Sequence, residues 1–334
     1  MVSGFWKNLP RPAFVLAPMA NVTDAAFRHI IAKYGKPDVI WTEFVSCDGL
    51  CSPGKESLLI DLNYSEIERP IVAQIFGSNP ETYYQTALLV QELGFDGIDI
   101  NMGCPDRSVS GKQASGAALI KTPRLAQEII RETKRGAGKL PVSVKTRIGF
   151  NTDTLETWLP YLLEAEPAVI TVHGRTKKEL SLVPARWNRI ADAVKIRDSY
   201  DSSPNKTLIF GNGDVKDLAD ARQKVTETGC DGAMIGRGIF GNPWLFSRTR
   251  DYKTVTVEEK LAVMIEHTAL FEKLLGEHKN VAIMKKHYKA YVSGFDGAKE
   301  LRVELMEAPD VVAVKQTVAA FLKKYPEVKN ILPW

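Results

Sequence analysis

What this 334-residue chain lacks narrows it before any motif is read. No run of about 18 apolar residues occurs, so nothing in it reads as a membrane-spanning helix. Its first residues, Met1 to Arg11, hold no apolar core of the kind a secretory leader carries, and the expectation is a cytoplasmic protein with no membrane partner. Cysteine is scarce: Cys47, Cys51, Cys104 and Cys230 stand at irregular spacing, which is no disulfide framework and fits a reducing compartment. Cys47 and Cys51 form a C-x3-C pair without further ligands, and His29, His267, His278 and His287 lack companions at metal-ligand spacing, so no metal site is expected. A dominant charge is missing too. Lys and Arg number 44 against 40 Asp and Glu, a net charge of +4 that permits an anionic partner without requiring one. No repeat or low-complexity segment stands out.

What is there is alternation. Short apolar, β-branched runs recur at Ala13–Ala17, Val39–Phe44, Ile71–Phe76, Gly97–Asn101, Val142–Thr146, Val169–His173, Leu208–Gly211 and Ala233–Gly236. Between several of them lie helical segments, Glu81–Leu93, Arg124–Arg135 and Lys216–Thr228, with apolar residues three and four apart. Asn79-Pro80, Thr122-Pro123 and Asn242-Pro243 each pair an N-cap residue with proline at the first helical position. Eight strand–helix units over roughly 245 residues predict a closed (β/α)8 TIM barrel. A doubly wound open sheet is the alternative, but its Gly-rich first turn is replaced here by Ala17-Pro-Met-Ala20. Beyond Arg250 no strand follows. Thr256-Val-Glu-Glu259 reads as a capping box, with helix to about Gly276 and further helices near Val281–Val292, Ala298–Glu307 and Asp310–Lys324. The expected architecture is a barrel domain over residues 1–248 and a small all-helical C-terminal domain over 249–334.

Polar residues gather where the strands finish: Glu43, Gln74, Asn101, Lys145, Arg147, His173, Arg175, Asn212 and Arg237. In a barrel these ends face one mouth, so the side chains converge. Phe210-Gly-Asn-Gly-Asp214 and Ile235-Gly-Arg-Gly238 are glycine-rich turns after the seventh and eighth strands, where a cofactor phosphate commonly sits in barrels. A lysine in that mouth suits the pyrimidine edge of a flavin. Cys104 stands on a Gly-Cys-Pro turn directly after the fourth strand, a place for a reactive thiol rather than for core packing.

Together the motifs resemble those of the tRNA dihydrouridine synthases. The matching stretches are Leu16-Ala-Pro-Met-Ala-Asn-Val-Thr-Asp24 with Phe27-Arg28, Thr42-Glu43, Gln74-Ile-Phe-Gly77, Asp99-Ile-Asn-Met-Gly-Cys-Pro105, Ser143-Val-Lys-Thr-Arg-Ile-Gly149, Val172-His-Gly-Arg-Thr176, Gly211-Asn-Gly-Asp214 and Met234-Ile-Gly-Arg-Gly-Ile-Phe-Gly-Asn-Pro-Trp244. The resemblance implies an FMN-dependent reduction of uridine in tRNA to 5,6-dihydrouridine with NADPH as reductant. It implies that Pro18, Met19, Gln74, Lys145 and His173 hold the FMN ring, and that Asn212, Gly213, Gly236 and Arg237 hold its phosphate. Asn101 and Arg175 would lie near the target base, and Cys104 would give a proton to C5 while hydride reaches C6. A thiol near its ordinary pKa of ~8.5 is mostly protonated at neutral pH and able to donate. The helical tail resembles the family's tRNA-binding domain, which puts Lys285, Lys286, His287 and Arg302 on the RNA, with no obligate protein partner. Two other readings stay open: a dihydroorotate-dehydrogenase-like flavin barrel acting on a free metabolite, and an RNA-binding protein without chemistry.

Overall fold

The computed structural model describes residues 4–112, 114–203 and 205–330. Eight parallel strands, β1 (Ala13–Leu16), β2 (Ile40–Ser46), β3 (Ile71–Phe76), β4 (Gly97–Met102), β5 (Val142–Arg147), β6 (Val169–His173), β7 (Leu208–Asn212) and β8 (Gly232–Ile235), are laddered in the order β1-β8-β7-β6-β5-β4-β3-β2. The Leu16 amide donates to Val39 O (3.3 Å) and the Asp38 amide to Phe14 O (2.9 Å), joining the two ends of that order into a barrel. Each strand lies within two residues of its expected limits, because β-branched runs bounded by turn residues leave little choice of register.

Strand parity fills the barrel. Alternate residues point inward, so Ala13, Val15, Val39, Trp41, Val72, Val169, Leu208, Phe210 and Met234 form one apolar cluster low in the barrel. A short 3-10 turn, Gly4–Lys7, delivers Trp6 to that cluster; it is 1% exposed, with ring centroids 6.0 Å from Trp41 and 5.7 Å from Phe210. Two residues further along, the inward positions of β2, β3, β6 and β7 turn polar, as Glu43, Gln74, Thr171 and Asn212. The floor is greasy and the mouth is not.

Helix starts follow local chemistry. Asn79 Oδ1 accepts from the Glu81 amide ahead of the helix Pro80–Glu92, and Thr256 with Glu259 forms a full capping box at Val257–Leu275. Asn242-Pro243 is different: no helix begins there. Trp244, Leu245 and Phe246 are all buried, which one face of a helix cannot provide, and the chain passes through successive single turns instead. A Cβ on Gly35 would lie 2.6 Å from Pro243 O, so this segment is pressed against the end of the helix Ala25–Tyr34.

Packing divides the chain into two compact units, and the division departs from the expected boundary at 248/249. One unit holds the residues up to Ala20 with Asp38–Arg237; the other holds Asn21–Pro37 with the residues from Gly238 onward. The physical reason is the helix Ala25–Tyr34. Although it connects β1 to β2, its buried face (Ala26, Phe27, Ile30, Ile31) packs on Val257–Leu275, and the buried run Ile239 to Phe246 belongs with it. The second unit is otherwise the helices Lys285–Tyr291, Ala298–Glu307 and Val311–Lys324, matching the expected helical stretches closely. No described helix is long and apolar enough to cross a membrane.

Candidate active site

The C-terminal ends of the strands surround a cavity of about 490 Å³. Pro18, Met19, Gln74, Asn101, Cys104, Lys145, His173, Arg175, Asn212, Gly213, Gly236 and Arg237, all singled out in the sequence, line it together. Parity is the cause: Asn101, Lys145, Arg147, His173 and Asn212 all hold inward positions near the ends of β4 to β7, with Asn101 paired to Lys145, Arg147 to His173, and His173 to Asn212. Glu43 does not join them. It is 5% exposed at the corresponding level of β2 and lies outside the cavity lining.

The Cys104 turn is built by its neighbours. Asn101 Oδ1 accepts from the backbone amides of Gly103 (3.1 Å) and Cys104 (2.9 Å), while Asn101 Nδ2 donates to Gln74 Oε1 (3.2 Å). Gln74 in turn donates to Asp99 Oδ2 (2.6 Å), and the Ser143 hydroxyl donates to Asp99 Oδ1 (2.5 Å). Burial pushes the Asp99 carboxyl up to about 6, against the pull of Gln74, Ser143 and Lys145. Lys145 is pushed down to about 8, first by desolvation and then by Arg147, with Asp99 and Cys104 opposing. Desolvation also raises the Cys104 thiol; a hydrogen bond from the Asp106 backbone and the charges of Lys145 and Arg147 lower it in part. The thiol therefore keeps its proton at neutral pH, beside a lysine able to steady a thiolate.

Three arginines frame the opposite wall. Arg147 Nε donates to Gly103 O (2.7 Å) and its Nη1 to Thr176 O (3.2 Å), tying the loop after β4 to the loop after β6. Arg175, 3% exposed, donates to Val183 O, to His173 Nε2 (3.2 Å) and to the Asp214 carboxylate. Because a guanidinium only donates, His173 Nε2 must accept, which places the imidazole proton on Nδ1. Burial and the charges of Arg147, Lys145, Arg175 and Arg237 hold His173 well below its ordinary pKa, so it is a neutral ring. Asp214 answers the cations. It accepts from Arg237 (2.9 Å) and the Ala185 amide (2.8 Å) as well as Arg175, and these outweigh partial burial to hold its carboxyl below the usual range.

The lining fits a flavin mononucleotide. Among the described residues, Lys145, Arg147, Arg175 and Arg237 face the cavity against one lining carboxylate, Asp214, an excess of cation that suits a phosphate. At Gly213, φ is +117° and a Cβ would meet Ala185 at 2.6 Å and the His173 ring at 2.8 Å, so only glycine brings the backbone this close. The Trp187 indole fixes that turn by donating to Gly213 O (2.8 Å), and Asn212 Nδ2 donates to Met234 O (2.8 Å), joining β7 to β8.

Sequence reasoning gave no role to Arg147, Asp214 or Trp187. Arg147 was already expected at the mouth among the strand-end residues, two residues beyond Lys145; Asp214 and Trp187 act through loop geometry that no spacing reveals. The four residues expected on RNA in the tail separate. His287 is 1% exposed, its ring 5.2 Å from Phe27 and 4.8 Å from His267, and this corrects its placement on RNA: a core ring presents no donor at the surface. Lys285 and Lys286 are half-buried, and Arg302 Nη1 donates to Val292 O (2.7 Å).

Comparison with known proteins bears on the same cavity. Residues 15–325 match the family model described as Dihydrouridine synthase (Dus). A probable tRNA-dihydrouridine synthase of Staphylococcus aureus (strain MRSA252) is 40% identical over 324 residues, covering 96% of each chain. A probable tRNA-dihydrouridine synthase 2 of Bacillus subtilis (strain 168) is 40% identical over 328 residues, covering 97% of this chain and 98% of that one. Among solved structures, morphinone reductase matches with a TM-score of 0.52 at 13% identity over 72% of this chain and 85% of its own. Histamine dehydrogenase from Rhizobium sp. 4-9 also gives 0.52, at 12% identity over 77% of this chain and 49% of that one. At such identities the likeness is one of fold.

Proposed function

The chain belongs to the dihydrouridine synthase family, and on that premise we propose that it reduces uridine in tRNA to 5,6-dihydrouridine with FMN as cofactor and NADPH as reductant. The observation that carries this reading is the convergence of Cys104 with Lys145, His173 and the glycine-rich turns after β7 and β8, which bring Arg237, around one cavity. Pro18, Met19, Gln74, Lys145 and His173 would hold the FMN ring, and Asn212, Gly213, Gly236 and Arg237 its phosphate. Bound there, FMN would supply the hydride-transfer chemistry, with NADPH as the source of reducing equivalents and C6 of the uracil as the acceptor.

The chain's own residues supply the rest. Cys104 gives its proton to C5 as the C5–C6 double bond is lost, and solvent reprotonates the thiolate afterwards. Lys145 and Arg147, which already favour the thiolate electrostatically, lower the cost of that donation. Asn101 positions Cys104 by capping the turn, and its remaining edge, with Arg175, faces the target base. Neutral His173 with a proton on Nδ1 offers a hydrogen bond without adding charge. The uracil must leave the RNA stack to enter, at a cost of a few kcal/mol. Phosphate contacts offset that cost and weaken with salt. The product forms in the cytoplasm, where tRNA and NADPH are both present.

Mass spectrometry of nucleosides tests this directly. Unmodified tRNA incubated with FMN-loaded protein and NADPH should gain the mass of two hydrogens on uridine, while free uridine should not. NADPH oxidation without any such gain would favour a reductase of small molecules.

A further inference from the structure

The proposed chemistry leaves one feature of the barrel rim unused. Three loops meet there: the turn ending at Lys121 after β4, the Gly149-Phe150 turn after β5, and residues 176–186 after β6. The Lys177 amide donates to Gly149 O and the Lys178 amide to Phe150 O, both at 2.9 Å, so the last two loops are fastened side by side. Over the half-buried Phe150 ring sit two ammonium groups, Lys121 Nζ at 4.7 Å and Lys177 Nζ at 5.1 Å from its centroid. Lys178 is exposed beside them. Among the described residues, no carboxylate forms a salt bridge with any of these three lysines. The nearby acids in sequence are engaged elsewhere: Glu179 by Arg186 at 2.7 Å and by the Thr176 amide at 2.7 Å, and Asp153 by Arg189 at 2.8 Å.

A ring that holds two like charges attracts each weakly and leaves their mutual repulsion uncompensated. An anion resolves it. We propose that Lys121 and Lys177, racked on Phe150 and flanked by Lys178, bind a phosphodiester of the RNA substrate at the barrel's own rim; this rests on the proposed function. The same loop says that the anion belongs to a polynucleotide rather than to free phosphate. Leu182 is 81% exposed and Leu180 is 44% exposed, the latter also lining the cavity. A ligand that meets lysines and bare leucines side by side is one whose phosphates alternate with flat apolar faces. The loop is also held ready: Arg147 donates to Leu180 O (3.4 Å), Arg175 to Val183 O (2.5 Å), and Glu179 pairs with Arg186. Little ordering is left for the ligand to impose.

NADPH carries phosphates too, and the test separates the two sources. The FMN-loaded wild type is compared with a Lys121→Gln/Lys177→Gln double variant and with Phe150→Leu. The readouts are the Kd for unmodified tRNA across a salt series and the rate at which NADPH reduces the bound flavin without tRNA. The double variant should bind tRNA about tenfold more weakly, with the slope of log Kd against log salt shallower by about 0.7–0.9, the value for one phosphate, and should be reduced by NADPH at the wild-type rate. Phe150→Leu keeps both charges, so its slope should stay while affinity falls about threefold. A double variant with wild-type Kd and slope overturns the rim site, whatever the wild type does to uridine. Slower flavin reduction with unchanged tRNA binding overturns it as well and assigns the lysines to NADPH. Absence of dihydrouridine from wild-type reactions is a separate result that defeats the proposed function alone.

Discussion

The barrel mouth and the helical unit each bury histidine, and they use it in opposite ways. At the mouth, His173 faces a cavity and is wired to Arg175, with Arg147 and Lys145 close enough to fix its charge state. In the helical unit, His267 and His287 face each other among Phe27, Phe240 and Tyr291, and neither His267 nitrogen has a hydrogen-bond partner. One histidine is an instrument and the other two are flat core rings. Burial alone pushes His267 down to about 3, whereas His173 is lowered by burial together with four named cations. A buried polar ring becomes a site when its neighbours are polar and a cavity lies beside it; without both it is packing with a desolvation penalty of about 1–3 kcal/mol.

The contrast can be broken hardest at Cys104. Cys104→Ala should leave FMN bound and tRNA affinity unchanged while uridine reduction falls by about 10²–10⁴, the usual range for a lost general acid. Single-turnover mass spectrometry on unmodified tRNA reads this out, and a wild-type rate would remove the thiol from the mechanism. Next comes His287. His287→Ala should cost roughly 2–4 kcal/mol of stability through the cavity it leaves, seen as a lower denaturation midpoint, with the salt slope of tRNA binding untouched. A normal midpoint with a shallower slope would return His287 to the RNA surface.

Acid sensitivity sharpens the same comparison. The pKa of His267 is lowered in the folded state, so its contribution is fully present above the unfolded value near 6.5 and is lost as pH falls from there towards about 3. Across that window each such ring removes about 1.4 kcal/mol of stability per pH unit. His267→Phe should therefore flatten the acid limb of a stability–pH curve. At the mouth the titration is read in activity rather than in stability. Lys145 loses its proton as pH rises past about 8, and kcat/KM should fall on that alkaline side. Asp99 is the carboxylate that holds Lys145 up, so Asp99→Asn should move this limb to lower pH; a limb that stays put would assign it to another group.

Period-two alternation carried most of the mouth into the sequence. Once eight short runs are read as barrel strands, parity alone turns Asn101, Lys145, His173 and Asn212 towards one mouth, and glycine turns finish the cradle at Gly213 and Gly236. Three things stayed illegible for physical reasons. Asn242-Pro243 has the local chemistry of a helix start, yet three consecutive buried side chains and the close approach of Gly35 decide otherwise. The loop after β6 takes its shape from Arg147 and Arg175, which reach it from other segments. Lys285-Lys286-His287-Tyr288-Lys289 reads as one basic cluster, but a helix turns 100° per residue, and His287 and Tyr288 face inward while Lys289 faces water.

That last segment gives the smallest expected effect and the finest test of the comparison. Lys285 and Lys289 stand four apart on the helix Lys285–Tyr291, so they share a face, with Lys285 half-buried and Lys289 exposed. Solvated lysines on a short helix can meet phosphates only as mobile point charges, whereas Lys121 and Lys177 are fixed by a shared ring. A Lys285→Gln/Lys289→Gln variant should therefore weaken tRNA binding about two- to fivefold, less than the rim pair, and should leave stability within about 0.5 kcal/mol of wild type. Both double variants remove two charges, so equal changes in salt slope with unequal changes in affinity at fixed salt would isolate the benefit of preorganisation. A larger loss from the helix pair would invert the ranking and make the tail, rather than the rim, the principal phosphate contact.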